Sequence, residues 1–464
     1  MERLRYVHPA DIRGPVKKKM QKNKQVPGTI RIIGGGLAGS EAAWQLAERG
    51  FQVRLFEMRP DRMTPAHKSG SLAELVCSNS LGADGLTSPA GILKDELRKM
   101  GSLIMTCADQ AKVPAGRALA VDRELFAGLV TEKVNAHPGI ELIHEEVTGI
   151  PPGPAIIASG PLTSSSLAGS LADSIGEGFL YFFDAVSPVL TIESVDMTHA
   201  FWGSRYETGD DYLNCPMDPE TYQNFWNELV NAERAPRHDF EKDVRYFEGC
   251  LPVEEIASRG VDTLRFGPMK PVGLKDPLSG RESYSVVQLR RDNREGTLFN
   301  IVGFQTSLKW GEQDRVFRLI PALKNAEFVR YGVMHRNIYV NAPRVLRPSL
   351  ELCGAPGVYL AGQITGVEGY VESVATGLMA SLNLASRMKG LPDPLWPRES
   401  AMGSLSHYLQ DAEPGSFKPM NMNLGIFPPL GKKIRNRKEK CRMIYERAAQ
   451  AMEDFMAHPV FYAK

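Results

Sequence analysis

Long apolar runs are missing from this sequence. Nowhere do roughly eighteen apolar residues follow one another, so a membrane-spanning helix is not expected. Cysteine is scarce. The six present, Cys77, Cys107, Cys215, Cys250, Cys353 and Cys441, form no C-x-x-C pair and have no histidine cluster beside them. That excludes a disulfide framework or a zinc ribbon and fits reduced thiols in a cytoplasm. The basic opening lacks the apolar stretch of a secretory signal, which points the same way. No internal repeat and no low-complexity tract occur, so solenoid and disordered-chain readings fall away. Net charge is nearly absent at +1, but unevenly so: residues 1–26 hold eight Lys/Arg against two Asp/Glu, and residues 431–464 nine against four, around an acidic body. Basic ends of this kind suit phosphate backbones.

What is present is an ordinary globular composition. The 464 residues are 43% hydrophobic and 23% charged, room for two or three domains with cores of their own. Four segments are expected: a basic arm over 1–28, a nucleotide-binding domain from 29–185 and 330–430, an inserted substrate domain over 186–329, and a basic C-terminal helix or tail over 431–464. The texture sets these bounds. TIRII, SEAAWQLAER and VRLFE read as strand, helix and strand, a βαβ opening. One helix is predicted over GILKDELRKMGSLIM, at 91–105. Between about Tyr181 and Phe328, aromatic and β-branched residues mix with turns, as in a mainly antiparallel sheet. GVYLAGQITGVEGYVES then returns to strand, glycine loop and long helix.

Gly34, Gly36 and Gly39 spell G-x-G-x-x-G between the first strand and the first helix, in the run Gly34-Gly35-Gly36-Leu37-Ala38-Gly39. The first glycine permits the tight turn, the second lets backbone approach a pyrophosphate, and the third lets helix pack on strand. Glu57 ends the second strand, where a carboxylate can accept from both ribose hydroxyls, which disfavours a 2′-phosphate and leaves FAD or NAD. The late strand ending at Gly362 and Gln363, followed by Gly369 and Tyr370 at a helix start, resembles the closing element of the glutathione-reductase-type FAD fold. The expected class is therefore α/β: an FAD-binding Rossmann domain of that type, interrupted by a smaller α+β insertion. A helix N-terminus at that spot favours an anionic reduced flavin, and Tyr370 is placed to stack on its ring.

Several blocks are more specific. ELVCSNSL, LNCPM, FEGCLPVEE, FGPMKPVGL, YGVMHRN, GVEGYVES and FKPMNMNLGIFPPL resemble the folate- and FAD-dependent tRNA uracil-5-methyltransferases, the TrmFO family, relatives of the GidA/MnmG flavoproteins. The resemblance implies an enzyme that makes 5-methyluridine at position 54 of the tRNA T loop. The one-carbon donor is 5,10-methylenetetrahydrofolate, and FAD is reduced by NADPH or NADH. No second glycine fingerprint follows a strand, so the nicotinamide is expected to visit the flavin face.

The chemistry asks for a soft nucleophile. A thiolate added to carbon 6 of uracil makes an enolate whose carbon 5 attacks a methylene electrophile. Cys77, in a polar glycine-bearing loop after the βαβ opening, is the first candidate, with Ser78 and Asn79 as donors to an oxyanion or the flavin edge. Cys250 is the second. The acids at Glu254 and Glu255 work against a low thiol pKa there and suit an acid or positioning role. Cys215 is expected in the core, and the basic C-terminal helix is a candidate for tRNA backbone. Two other readings compete: an MnmG-like wobble-uridine enzyme, whose longer C-terminal helical domain finds no room after Leu430, and a non-catalytic flavin-bearing RNA-binding module.

Overall fold

A computed structural model describes residues 28–176, 180–207, 209–235, 251–277, 280–431 and 434–461. Residues 1–27 of the basic arm and Cys250 lie outside them. The TIRII run forms strand β1 (Ile30–Ile33), and the helix formers after the glycines form α1 (Leu37–Glu48). VRLFE forms β2 (Val53–Glu57), which runs parallel to β1 from Ile30↔Val53 to Ile33↔Phe56. Strands 140–144, 155–157 and 358–360 complete a five-stranded sheet in the order 358–360, 155–157, β1, β2, 140–144, every pairing parallel. The core positions of its strands are apolar: Ile30, Ile32, Leu55, Ile156 and Leu360 are fully buried.

The helix expected over 91–105 is two helices, Pro89–Lys99 and Leu103–Gln110. Gly101 at φ +71° breaks the first, and the Ser102 hydroxyl then caps the second by accepting from the Met105 amide at 3.2 Å.

Residues between Val189 and Arg330 build a second core on a six-stranded sheet, in the order 201–203, 212–217, 285–291, 298–301, 189–191, 328–330. Its pairings are all antiparallel. The helix Pro219–Asn231 covers it, started by Asp218, which accepts from the Thr221 amide at 2.8 Å, and by proline at its first turn. Tyr222, Phe225, Phe299, Phe304 and Phe317 fill the space between. The chain enters and leaves this unit on a two-stranded antiparallel ribbon, Leu180–Ala185 against Met334–Tyr339.

The C-terminal segment is a packed helix rather than a tail. In Arg437–Met456 the residues Cys441, Ile444, Ala448, Met452 and Phe455 are buried, and all but Cys441 join the core of the parallel-sheet unit. Among the described residues no helix is long and apolar enough to cross a membrane, and no group of three His, Cys, Asp or Glu side chains could hold a metal ion.

Candidate active site

The parallel strands end on one cleft, as strand C-termini in open α/β sheets do. It holds about 1030 Å³ of empty space, solvent at its mouth included. Of the fingerprint and closing residues, Gly34, Gly36, Leu37, Ala38, Glu57, Gly362, Gln363 and Tyr370 line it, while Gly35, Gly39 and Gly369 stand behind.

Each glycine has a distinct reason. Gly34 sits at φ +99°, and a Cβ there would lie 2.6 Å from the Ala158 carbonyl oxygen. A Cβ on Gly39 would lie 1.8 Å from the Gly34 oxygen, so α1 can approach β1 only without a side chain at that position. Gly36 differs. A Cβ there meets nothing within 4 Å and would project into open space. Gly36 is also the N-cap of α1 and offers no side chain to its first amides. Those amides and the positive helix end therefore face the cleft, and a dinucleotide pyrophosphate fits this cradle.

Glu57 does more than the sequence indicates. Its Oε2 accepts from the Gly35 amide at 2.8 Å and from Arg59 Nη2 at 3.1 Å, and its Oε1 from the Arg59 amide and Nε at 3.0 and 2.9 Å. Burial opposes its ionisation, but the Arg59 hydrogen bonds and charge, with the Gly35 amide, outweigh burial and hold the carboxyl below its usual range. Glu57 is thus a splint for the glycine loop. Arg59 and Glu74, with Thr64, His67 and the turn 159–164, also line the cleft and were not foreseen; their signal was their place just after strand ends.

The closing element is built on three positive-φ glycines, Gly362 at φ +82°, Gly366 at +92° and Gly369 at +106°. The Gly362 amide donates to Thr376 Oγ1 at 2.8 Å, and Gln363 Nε2 donates to Glu368 Oε2 at 2.7 Å. Helix Tyr370–Met388 packs so closely on α1 that a Cβ on Gly377 would lie 2.3 Å from the Ala38 oxygen.

Tyr370 joins this element to the thiol loop. Its Oη accepts from the Cys77 and Ser78 amides at 2.9 and 3.2 Å, and burial, then the neighbouring Cys77, raises its phenol pKa. Cys77 is half-buried and follows Val76, which lines the cleft. Three buried residues fix the loop from behind. Arg123 donates to the Leu75 carbonyl at 2.7 Å and pairs with Asp292 at 3.0 Å. Arg290 donates to Ser78 Oγ at 2.9 Å and to Asn79 Oδ1 at 3.1 Å. The Asn79 amide group donates to the carbonyls of Val121 and Arg291 at 3.0 and 2.9 Å. Asn79 is therefore turned inward as a pin between the two units, not outward as an oxyanion donor, because its full burial requires every polar atom to find a protein partner. Cys215 is a core thiol that burial pushes up to about 12.

The basic C-terminal helix lies elsewhere. Lys99 sits over the Tyr445 ring and Arg49 over Phe461, at the C-terminal ends of Pro89–Lys99 and α1, away from the glycine cradle.

A parallel sheet opening on a glycine cradle, interrupted by an antiparallel unit that clamps a cysteine loop, defines a dinucleotide-binding α/β protein with an inserted domain. The family model described as glucose inhibited division protein A matches residues 29–392. A protein of Moorella thermoacetica, named methylenetetrahydrofolate–tRNA-(uracil-5-)-methyltransferase TrmFO, is 59% identical over 426 residues, 91% of this chain and 97% of its own. One of the same name from Desulforudis audaxviator is 57% identical over 92% of this chain and 97% of its own. The solved structure of Aquifex aeolicus GidA (form II crystal) shares the fold, with a TM-score of 0.66 at 16% identity over 92% of this chain and 73% of that one. The chain belongs to the TrmFO family of tRNA uracil-5-methyltransferases, within the wider glucose inhibited division protein A family.

Proposed function

We propose that this protein methylates carbon 5 of uridine 54 in the tRNA T loop, taking the carbon from 5,10-methylenetetrahydrofolate and two electrons from NADPH or NADH by way of FAD. The reading rests on the family, and within the structure on one observation: the Cys77 amide is bonded to Tyr370, a wall of the same cleft whose other end is the Gly36 cradle. Bound FAD would supply the hydride that turns a transferred methylene into methyl. Gly36, Leu37 and Ala38 would hold its pyrophosphate, Glu57 its ribose, and Gly362, Gln363 and Tyr370 its ring end. A cytoplasmic site of action fits the nucleotide and folate co-substrates.

The protein's own residues do the rest. Cys77 Sγ adds to carbon 6 of the uracil, and the electron pair moves into the ring as an enolate. Carbon 5 then bonds the donor's methylene. Loss of the carbon 5 proton expels the tetrahydrofolate amine and leaves an exocyclic methylene. A hydride added to that carbon, of the kind bound reduced FAD would supply, gives the methyl group as the thiolate leaves carbon 6. Tyr370, Arg123 and Arg290 fix the loop so that the thiol meets the base in one geometry. Cys250 is assigned the proton-handling role, since Glu254 and Glu255 follow it closely in sequence.

The test uses undermodified tRNA with labelled methylenetetrahydrofolate and NADPH. Label in 5-methyluridine of the T loop supports the reading, and label in a wobble uridine overturns it. An RNA hairpin carrying 5-fluorouridine should give a denaturation-stable complex with the wild-type protein and none with Cys77→Ala. A complex that survives Cys77→Ala but is lost in Cys250→Ala would exchange the two roles.

A further inference from the structure

The cleft and the Cys77 loop account for a nucleotide, a folate and one uracil, but leave unassigned an aromatic and cationic patch on the inserted domain. Tyr206 is 54% exposed although it is a large ring, and its backbone is left-handed, at φ +64° and ψ 27°. A bulky residue rarely adopts that conformation unless its surroundings impose it. Here they do. Arg205 Nη2 and Nε donate to the carbonyls of Pro268 and Lys270 at 2.6 and 3.0 Å, and the Asp211 amide donates to Ser204 Oγ at 3.2 Å. The turn is thus clamped on both sides while its aromatic side chain is held out into solvent.

Lys270 comes to that ring. Its Nζ donates to Tyr206 Oη at 2.9 Å and stands 5.3 Å from the ring centroid. The hydrogen bond and charge of Lys270, then the charges of Arg205 and Arg117, pull the phenol below its usual pKa. The Gly116 amide, which donates to Asp211 Oδ2 at 2.6 Å, brings the exposed Arg117 to the same turn. Stretch 266–274, which carries Lys270, also exposes Phe266 at 81% and Val272 at 45%. A second pair, Arg291 over Trp202 at 5.5 Å, lies on the same sheet, across the strand 212–217 that separates them.

The patch faces the reaction centre's side of the domain. Gly203, Tyr212 and Arg290 lie side by side across three strands, about 10 Å in all at the usual strand spacing. Arg290 holds Ser78, next to Cys77, and the Tyr212 hydroxyl donates to the Ala115 carbonyl at 3.0 Å across the junction.

We propose that Tyr206 and Lys270, with Arg117, form an RNA contact in which a base flanking the target uridine stacks on the Tyr206 ring while the cations meet the adjoining phosphates. An exposed ring beside fixed cations is what single-stranded nucleic acid requires: the ring accepts any base, and the charges accept the backbone. An acidic protein partner would satisfy the cations but gives no reason to hold a tyrosine ring out on a clamped left-handed turn. The inference rests on the tRNA reading above and names where, outside the cleft, the substrate is gripped.

Steady-state kinetics with tRNA and with methylenetetrahydrofolate as varied substrates test it, with flavin content as the measure of folding. Tyr206→Ala should raise KM for tRNA about fivefold or more and leave KM for the folate within about twofold, and Tyr206→Phe should restore the tRNA value. Lys270→Gln should flatten the salt dependence of tRNA binding by about one phosphate contact. A flavin-loaded Tyr206→Ala with the parent KM for tRNA overturns the proposal, as does a raised KM that phenylalanine does not restore. A wild-type protein that methylates no tRNA would instead overturn the proposed function. The patch would then be judged by direct binding of a T-arm hairpin to the wild-type and Tyr206→Ala proteins, where equal affinities overturn it.

Discussion

Two glycines of one fingerprint should fail in opposite ways when substituted. At Gly39 the added Cβ would lie 1.8 Å from the Gly34 oxygen, a backbone atom whose own amide is bonded to Phe56 at 2.7 Å and cannot swing aside. Overpacking of this kind costs about 3 kcal/mol, so Gly39→Ala should lower the Tm of the flavin-free protein by roughly 3–5 °C. At Gly36 the Cβ meets nothing within 4 Å, so Gly36→Val should cost the flavin-free fold at most about 1 kcal/mol. Its methyls, however, would stand where a pyrophosphate held in that cradle would lie. Losing two charge-assisted amide–phosphate bonds, each about 1.5–3 kcal/mol, weakens FAD binding by roughly 10²- to 10⁴-fold. The assay pairs thermal unfolding of stripped protein with FAD titration by fluorescence quenching and the visible spectrum of protein as purified. Gly36→Val should be colourless and stable. A yellow Gly36→Val with full flavin would place the cofactor elsewhere, and a Gly39→Ala of unchanged Tm would refute the packing argument.

Other expectations follow from the buried polar pins. Asn79→Ala strands Arg290 Nε and two carbonyls and should cost about 3 kcal/mol or more, read as a lower urea midpoint. Asp292→Ala leaves the Arg123 guanidinium buried beside carbonyls alone and should cost about 3–5 kcal/mol, with Asp292→Asn recovering part; equal midpoints for all three proteins would deny the pair a structural role. Glu96 is wholly buried beneath the amides of Ala401 and Met402, and burial lifts its carboxyl from 4.5 to about 8. Because the folded value lies above the unfolded one, its contribution is complete below pH about 4.5 and is lost as pH rises to about 8. Glu96→Gln should flatten the stability–pH curve across that window, and an unaltered slope would show that Glu96 is not its source.

The parallel half was legible because its signals are local. Apolar strands, a helix-forming run and spaced glycines each announce themselves within a dozen residues or so. Glu57 was found by its distance from Gly39, but not its use: Arg59, two residues on, reads as an ordinary surface cation until folding buries it against Glu57 and Glu74. Asn79 was misread for a related reason. A polar residue beside a reactive cysteine suggests a donor to substrate, and only folding brings up the carbonyls it serves, Val121 of its own unit and Arg291 on strand 285–291 of the other. Contacts between residues more than two hundred positions apart leave no periodic trace. The break at Gly101 was missed, because the apolar spacing on either side of it continues the helical pattern.

The ribbon of Leu180–Ala185 and Met334–Tyr339 sets how freely the two halves can vary. Ala185 is paired with Met334, so the intervening chain departs and returns at points about 5 Å apart, the reach of a hairpin turn. For the nucleotide unit, a whole domain is topologically no more than the tip of that hairpin, and its length adds little closure entropy. The inserted domain can therefore be exchanged or resized without rethreading the parallel sheet. What such an exchange would have to rebuild is the angle between the halves, because that is set by Asn79 and by the Arg123–Asp292 pair, and the ribbon alone leaves it undetermined.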